Sequence, residues 1–254
     1  MVPHSYLSLG YKTFAEMSMD TKMADSVESV LALIKNLSGK AKEGQESELE
    51  AMQVYANSRD FDGDIDVFDI DYFRRKQRRT FLGLSDEDLS EYFPLPKVLD
   101  GILNLCSKLF DIEFQELEAE GSWHPDVKLF AVKDTKKEEI LGHFYFDAYL
   151  REEKGYAGGD HGWYMPLRSR SKIGNSSPLG AIIFSLTPPN VGKPSLLTFF
   201  EVKEVLNKFG MALQHILCEN DYSDLGGRTA LEWDVVDFVG EFMSELIHNP
   251  QVIR

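Results

Sequence analysis

The segment Asn207-Lys208-Phe209-Gly210-Met211 has the spacing of a metal-binding helix without its ligands. In the pattern His-Glu-x-x-His, the two His side chains lie on one helix face and bind Zn²⁺, and the Glu activates the metal-bound water. Here Asn207 and Met211 stand at the His positions, and Lys208 stands at the degenerate position of the general base. Because Lys208 places a cation where the metal ion would lie, we predict no catalytic residue in this segment.

The residues around this segment predict the helix that positions it. Thr198 and Glu201 have the T-x-x-E spacing of a capping box, which starts a helix. Apolar residues then recur at helical spacing at Val202, Val205, Leu206, Phe209, Leu213, Ile216 and Leu217. Positions 207, 208 and 211 are therefore expected on this helix.

Stretches in the same order along nearly the whole chain carry a resemblance to a known family. The sequence GKPSLLTFFEV at 192–202 is similar to the family's GKPSLMTFREV, and LEWDVVD at 231–237 is similar to IEWDAVE. Further similar stretches are residues 10–24, 91–101, 123–127 and 142–149. By their order and spacing the chain resembles the thimet oligopeptidase and oligopeptidase A family of zinc metallopeptidases, and is nearest to its plant members.

The resemblance implies a metal site of two His and a downstream Glu, and that Glu matches Asp237. The degenerate ligand positions are thus Asn207, Met211 and Asp237, so we expect no bound zinc and no other cofactor. His215 lies eight residues after Asn207 and cannot complete an i, i+4 pair. We predict that His215 makes a local hydrogen bond in its helix and that Asp237 is an ordinary helix or cap residue.

The resemblance also implies a longer protein. Family members carry a helical N-terminal half and a C-terminal Gly-rich loop whose Tyr and His residues hold the substrate. This sequence shows no counterpart of either, so we expect a truncated member. Its stretch 158–162 resembles a family loop beside the substrate cleft. Peptide binding is predicted near that loop at His161 and Trp163, and by strand addition along an edge strand at Ala181, Ile182, Ile183, Phe184 and Ser185.

The expected fold class is mainly α with a small antiparallel β-sheet, as part of the family's helical catalytic domain. Residues 1–118 are predicted helical, 119–190 contain the small sheet and the Gly-rich loop, and 191–254 are helical again, together forming one partial catalytic-domain unit. A helix capped by Asp25 or Ser26 is expected to end at Gly39, and another runs from Glu46. The strand candidates are 127–132, 140–146 and 181–185.

Composition excludes several classes of protein. The net charge of −15 argues against a nucleic-acid partner and against an anionic membrane surface, and no apolar run approaches about 18 residues. Cys106 and Cys218 lie in apolar helical patterns and are expected to be buried free thiols. The acidic run 60–66 and the basic run 74–79 are interpreted as a solvated loop and a solvated helix face. A soluble intracellular protein of the cytosol or an organelle lumen is predicted.

The favoured interpretation is a catalytically inactive homologue that serves as a peptide- or protein-binding module. A peptide or protein partner is expected, and with it an oligomer or a subunit of an assembly, because helix faces around Leu99, Leu103 and Phe110 are predicted to be uncovered. Two alternatives stay open. One is a residual metallopeptidase that rebuilds a metal site from His215, Glu232 or Asp237, and the other is a vestigial product.

Overall fold

The structure, a computed structural model, describes residues 5–154, 161–228 and 230–253. Its helices are α1 Ser5–Ser8, α2 Phe14–Met19, α3 Val27–Asn57, α4 Ile70–Leu82, α5 Asp86–Ser90, α6 Leu95–Phe110, α7 Phe199–Ile216, α8 Phe238–Glu245 and α9 Pro250–Ile253. Short 3₁₀ helices span Glu152–Lys154, Ser223–Leu225 and Leu246–His248. The strands are β1 Ile112–Leu117, β2 Lys128–Asp134, β3 Ile140–Tyr149, β4 Trp163–Arg168 and β5 Leu179–Leu186.

Two compact units divide the chain. The first contains the described residues up to Ser85 together with Glu232–Asp234, and the second contains the described residues of Asp86–Leu231 and those from Val235 onward. The boundaries of these units differ from those of the three sequence regions. The strand β1, at the end of the region 1–118 that is predicted to be mostly helical, belongs to the sheet.

The first unit is built on the long helix α3. Ser26 caps it by accepting a hydrogen bond from the backbone N–H of Ser29, whose side chain bonds back to Ser26. The expectation that Gly39 ends this helix is wrong, because α3 continues to Asn57. A single exposed Gly costs a helix only about 1 kcal/mol, which the helix-forming residues around it offset. The last turns of α3 pack on α4 through Met52, Ala56 and Phe73.

The two charged runs of the first unit are exposed, as predicted. The Asp side chains of the run 60–66 all lie in a solvated loop, and the Arg and Lys side chains of the run 74–79 lie on the exposed face of α4. No helix of the described residues is long and apolar enough to cross a membrane.

The second unit contains a sheet with strand order β1-β2-β3-β5-β4. The prediction of a mainly helical protein with a small sheet is confirmed, but the expectation that this sheet is antiparallel throughout is wrong. The pairs β1-β2, β2-β3 and β4-β5 are antiparallel, whereas β3 and β5 run parallel. After β3 the chain forms the outer strand β4 and then returns as β5, which lies between β3 and β4. Two parallel strands need a long connection of this kind.

The predicted edge strand at 181–185 is an interior strand. The residues from Ala181 to Ser185 belong to β5, which is paired with β3 on one side and with β4 on the other. Ile182 and Phe184 are fully buried. Strand addition at this segment is therefore excluded, because its backbone groups already have partners within the sheet. The edge strands are β1 and β4.

The core of the second unit lies between the sheet and the helices α6 and α7. Phe209 of α7 packs edge-on against Phe144 of β3, with ring centroids 5.6 Å apart. The prediction that Leu99 and Leu103 are uncovered is wrong, because Leu99 is buried in this core and Leu103 packs against it, whereas Phe110 is exposed. Amphipathic spacing identified α6, but it could not show which elements cover its apolar face.

The two cysteines are free, as predicted. Cys106 is fully buried on α6, and burial raises the pKa of its thiol to about 12. Cys218, which follows α7, is only half-buried. Cys106 is therefore held as an unreactive thiol of the core.

Candidate functional site

Helix α7 begins at the capping box that the sequence predicts. The Thr198 hydroxyl accepts a hydrogen bond from the Glu201 N–H at 3.1 Å, and the Glu201 carboxylate accepts one from the Thr198 N–H at 2.7 Å. The helix then crosses the middle of its unit, and almost every residue from Val205 to Ile216 is buried. Because α7 is enclosed along most of its length, each buried polar side chain in it needs a partner.

Helix α8 lies directly against the motif positions of α7. A Cβ atom on Gly210 would lie 2.7 Å from the Val239 carbonyl oxygen, and one on Gly240 would lie 3.1 Å from Met211 Cγ. Only glycine allows the two backbones to approach this closely. Asn207 and Met211 are consequently buried, with 3% and 7% of their surfaces exposed.

The side chains at the motif positions form a chain of polar contacts. Lys208 Nζ donates to Asn207 Oδ1 at 2.9 Å and lies 3.4 Å from Glu204 Oε2. Asn207 Nδ2 in turn donates to Glu241 Oε1 of α8 at 3.0 Å. Both polar atoms of the Asn207 side chain are therefore engaged, its oxygen with an ammonium ion and its nitrogen with a carboxylate.

Asp237 takes part in a different interaction. Its Oδ1 lies 2.8 Å from Arg228 Nη2, and its side chain is more than half exposed. It precedes α8 at the N-cap position, but its side chain makes no capping hydrogen bond there. The structure thus brings together positions 207, 208 and 211, while the fourth matched position, Asp237, forms an ion pair with Arg228.

His215 does not make the predicted local hydrogen bond in its helix. It is fully buried, and its Nδ1 shares a hydrogen bond with the hydroxyl of Tyr164 on β4. Its Nε2 lies 3.5 Å from Ser169 Oγ. Burial lowers the pKa of His215, and the positive charge of Arg228 lowers it further. Burial also raises the pKa of Tyr164, so this pair is held in its neutral form.

The donor set of the motif positions does not fit a zinc ion. Zinc sites in proteins use thiolates, imidazoles and carboxylates, whereas Asn207, Lys208 and Met211 supply an amide, an ammonium and a thioether. Within the part of the chain that the structure describes, no three His, Cys, Asp or Glu side chains lie close enough to share a metal ion. The arrangement places a cation of the protein beside Asn207.

The edge strand β4 lies beside α7 and carries exposed side chains. Trp163, Met165 and Leu167 alternate along it, with exposed fractions of 56%, 41% and 46%. Just before this strand, His161 packs edge-on against Phe200 of α7 and lies 3.7 Å from Glu204 Oε2. The predicted loop residues 158–160 lie outside the described residues.

Comparison with known proteins identifies the family. The family model described as "Peptidase family M3" matches residues 8–254 of this chain. The chain belongs to peptidase family M3.

Its relatives within M3 include bacterial and plant proteins. Oligopeptidase A of Haemophilus influenzae is 31% identical over 238 residues, which cover 92% of this chain and 34% of the relative. The probable cytosolic oligopeptidase A of Arabidopsis thaliana is 34% identical over 250 residues, covering 95% and 35%. The organellar oligopeptidase A of Arabidopsis thaliana is 33% identical over 250 residues, covering 95% and 31%. The chain spans about a third of the length of these relatives.

Sequence reasoning missed three side chains of this M3 site. Glu204 lies four residues before Lys208 on one helix face, and this i, i+4 spacing of opposite charges was a signal for their pairing. Glu241 and Tyr164 lie 34 and 51 residues from their partners. No local pattern could have linked them.

Proposed function

We propose that this chain is a catalytically inactive member of peptidase family M3 that binds peptide or protein segments without cleaving them. The observation that carries this proposal is the contact of Lys208 Nζ with Asn207 and Glu204 at the position of the general base. A general base must accept a proton from the attacking water. An ammonium ion has no lone pair for that proton, and it repels a metal ion.

The loss of zinc is the second part of the proposal. The Asn207 amide is already bound through both of its polar atoms, and Met211 offers only a thioether. The ligands that the alternative would use are also engaged, because His215 bonds Tyr164 and Asp237 pairs with Arg228. These contacts weigh against a residual metallopeptidase built from the remaining His and Asp side chains.

Peptide binding at the edge strand β4 is the third part of the proposal. An extended peptide can add to an exposed sheet edge through backbone hydrogen bonds, while alternate side chains supply specificity. Trp163 and Met165 offer an apolar surface at alternate positions of this edge. Pro166 has no N–H to donate, so an added strand would pair mainly with the residues before it. His161, predicted as a binding residue, lies at the start of the same edge.

Two measurements test the loss of catalysis. The purified chain is assayed for zinc after gel filtration and for hydrolysis of a quenched fluorescent peptide, with and without a chelator. We expect far less than one zinc ion per chain and no chelator-sensitive turnover. Turnover that a chelator abolishes would overturn the proposal that the protein is inactive.

A binding experiment tests the edge strand. Labelled short peptides are titrated with the chain and with its Trp163→Ala variant, and fluorescence anisotropy is followed. The matched control is Trp233→Ala, since Trp233 is also exposed and belongs to the other compact unit. We expect at least a ~10-fold loss of affinity for Trp163→Ala alone, the scale of an aromatic interface anchor. Equal affinity of both variants would exclude this edge as the binding surface.

A further inference from the structure

We propose that the Lys208 ammonium is a structural cation of the protein that stands in place of a metal ion and ties α7 to α8. The inference rests in part on the proposed function, since it assumes a site without zinc. The replacements at positions 207 and 208 act together as a closed interaction, and they are not two independent losses.

The charges around Lys208 balance one another. Glu204 lies on the same helix one turn earlier, and both side chains are largely buried, with 15% and 11% of their surfaces exposed. Glu241 contributes a second carboxylate from α8, which Asn207 contacts. His161, mostly exposed, also approaches Glu204. Without the ammonium ion, the largely buried Glu204 carboxylate would lose its nearest cation, which is costly where water has little access.

The Asn207 amide is oriented by the charges on either side of it. Its carbonyl oxygen faces the ammonium of Lys208, and its NH₂ group faces the carboxylate of Glu241. The amide dipole is therefore aligned between a positive and a negative charge, and each hydrogen bond is charge-assisted. Lys208 and Glu241 are thereby linked through Asn207 across the contact between the two helices.

The Lys208 ammonium has the cross-linking role that a metal ion has in other proteins. A metal bound by side chains of two helices cross-links them, and its binding free energy contributes to folding. Here α7 and α8 lie so close together that a Cβ atom on Gly240 would meet the Asn207 carbonyl oxygen at 3.0 Å. The Lys208 ammonium is covalently part of the protein, so it supplies the same cross-link between α7 and α8 without a metal ion that could dissociate. The chain should consequently keep its α7–α8 contact at any zinc concentration.

The experiment compares two lysines of α7. Thermal unfolding of the full chain is measured for Lys208→Met and for Lys203→Met, each with added zinc and with a chelator. Lys203 Nζ also reaches α8, at 2.8 Å from Glu245, but its partner is 62% exposed. We expect Lys208→Met to lower the unfolding temperature by roughly 5–10 °C and Lys203→Met by less than about 3 °C. Zinc and chelator should leave the unmodified chain unchanged.

Further variants keep the test decisive if Lys208→Met does not fold. Lys208→Arg retains the cation and should stay within a few degrees of the unmodified chain, while Lys208→Gln should unfold earlier than Lys208→Arg. The combination Lys208→Met with Glu204→Gln should be less damaging than the sum of the two single changes, because it removes both charges of the pair. Equal stability of Lys208→Gln and the unmodified chain would overturn the inference.

The zinc arm separates this inference from the proposed function. A rise of several degrees in the unfolding temperature of the unmodified chain with added zinc would contradict the structural cation. Peptide turnover, measured separately, would contradict the inactive enzyme. A chain that cleaves no peptide but shows no difference between Lys208→Met and Lys203→Met would leave the proposed function standing and would remove the claim about Lys208.

Discussion

The helices α3 and α7 begin in the same way and have different surroundings. Each starts at a capping box, made by Ser26 with Ser29 and by Thr198 with Glu201. Each carries apolar residues at helical spacing. Yet α7 is enclosed along most of its length, whereas every residue of α3 from 31 to 48 is exposed. The local sequence therefore determines where a helix begins, and packing alone determines what its residues contribute.

The same difference changes what a polar residue means. Lys35 and Lys42 on α3 are solvated, and the pair of Lys42 with Glu46 at 3.7 Å is exposed on both sides. Such surface pairs contribute little to stability. Lys208 and Asn207 on α7 are buried, so each must find partners within the protein. Replacing a polar side chain is therefore expected to change the stability of the protein little on α3 and strongly on α7.

The largest effect is expected from removing an apolar side chain. Phe209→Ala on α7 deletes a fully buried ring and should cost about 3–5 kcal/mol in the free energy of unfolding. Ile34→Ala on α3 should change it by no more than about 0.5 kcal/mol, because more than half of that side chain is already exposed. Urea unfolding followed by circular dichroism measures both.

A large loss of unfolding free energy in Ile34→Ala would contradict the difference in exposure between α3 and α7. It would mean that the apolar face of α3 is covered in solution, as it would be in an oligomer. Gel filtration with light scattering, on the chain and on Ile34→Ala, would then show whether the covering surface belongs to a second copy. A monodisperse monomer would show that the covering surface does not belong to a second copy.

Glycine substitutions should give effects of opposite sign. Gly210→Ala introduces a Cβ that meets the backbone of α8 at 2.7 Å and should cost about 1–3 kcal/mol. Gly39→Ala has open space around it and should stabilise α3 by about 0.5–1 kcal/mol, since alanine restricts the unfolded chain and favours the helix. Thermal unfolding of both variants measures the difference. Stabilisation by Gly210→Ala would show that α8 does not pack as described.

The sequence predicted features that depend on neighbouring residues. The cap of α7, the helical position of residues 207, 208 and 211, and the burial of Cys106 follow from patterns within a few turns. The family also followed from sequence, because the order of its similar stretches persists along the chain.

Contacts between distant residues could not be predicted in this way. The pairing of His215 with Tyr164, the ion pair of Asp237 and the parallel alignment of β3 and β5 depend on how the chain closes in space. A local pattern can also mislead, as the long helix α3 shows. Gly39 is a weak signal for the end of a helix, and its helix-forming neighbours overcome it.

The smallest effect is a dependence of stability on pH that α7 should show through His215. Burial, assisted by Arg228, holds the pKa of His215 below its ordinary value near 6.5. The unfolded chain therefore binds a proton at a higher pH than the folded chain does. Stability contributed by neutral His215 is present above about pH 6.5 and is lost as the pH falls toward the folded pKa, with a slope of at most about 1.4 kcal/mol per pH unit.

Variants assign this slope to its residue. His215→Gln should flatten the dependence below about pH 6.5, and it should also lower stability at pH 7 because the Tyr164 hydroxyl loses its partner. His143→Gln is the control, since partial burial and Arg168 lower the pKa of His143 as well. Urea unfolding at a series of pH values separates the two contributions. If the slope is unchanged in His215→Gln and flattened in His143→Gln, the pH dependence of stability comes from His143 on β3. In that case His143, and not His215 of the enclosed helix α7, is the residue that resists protonation.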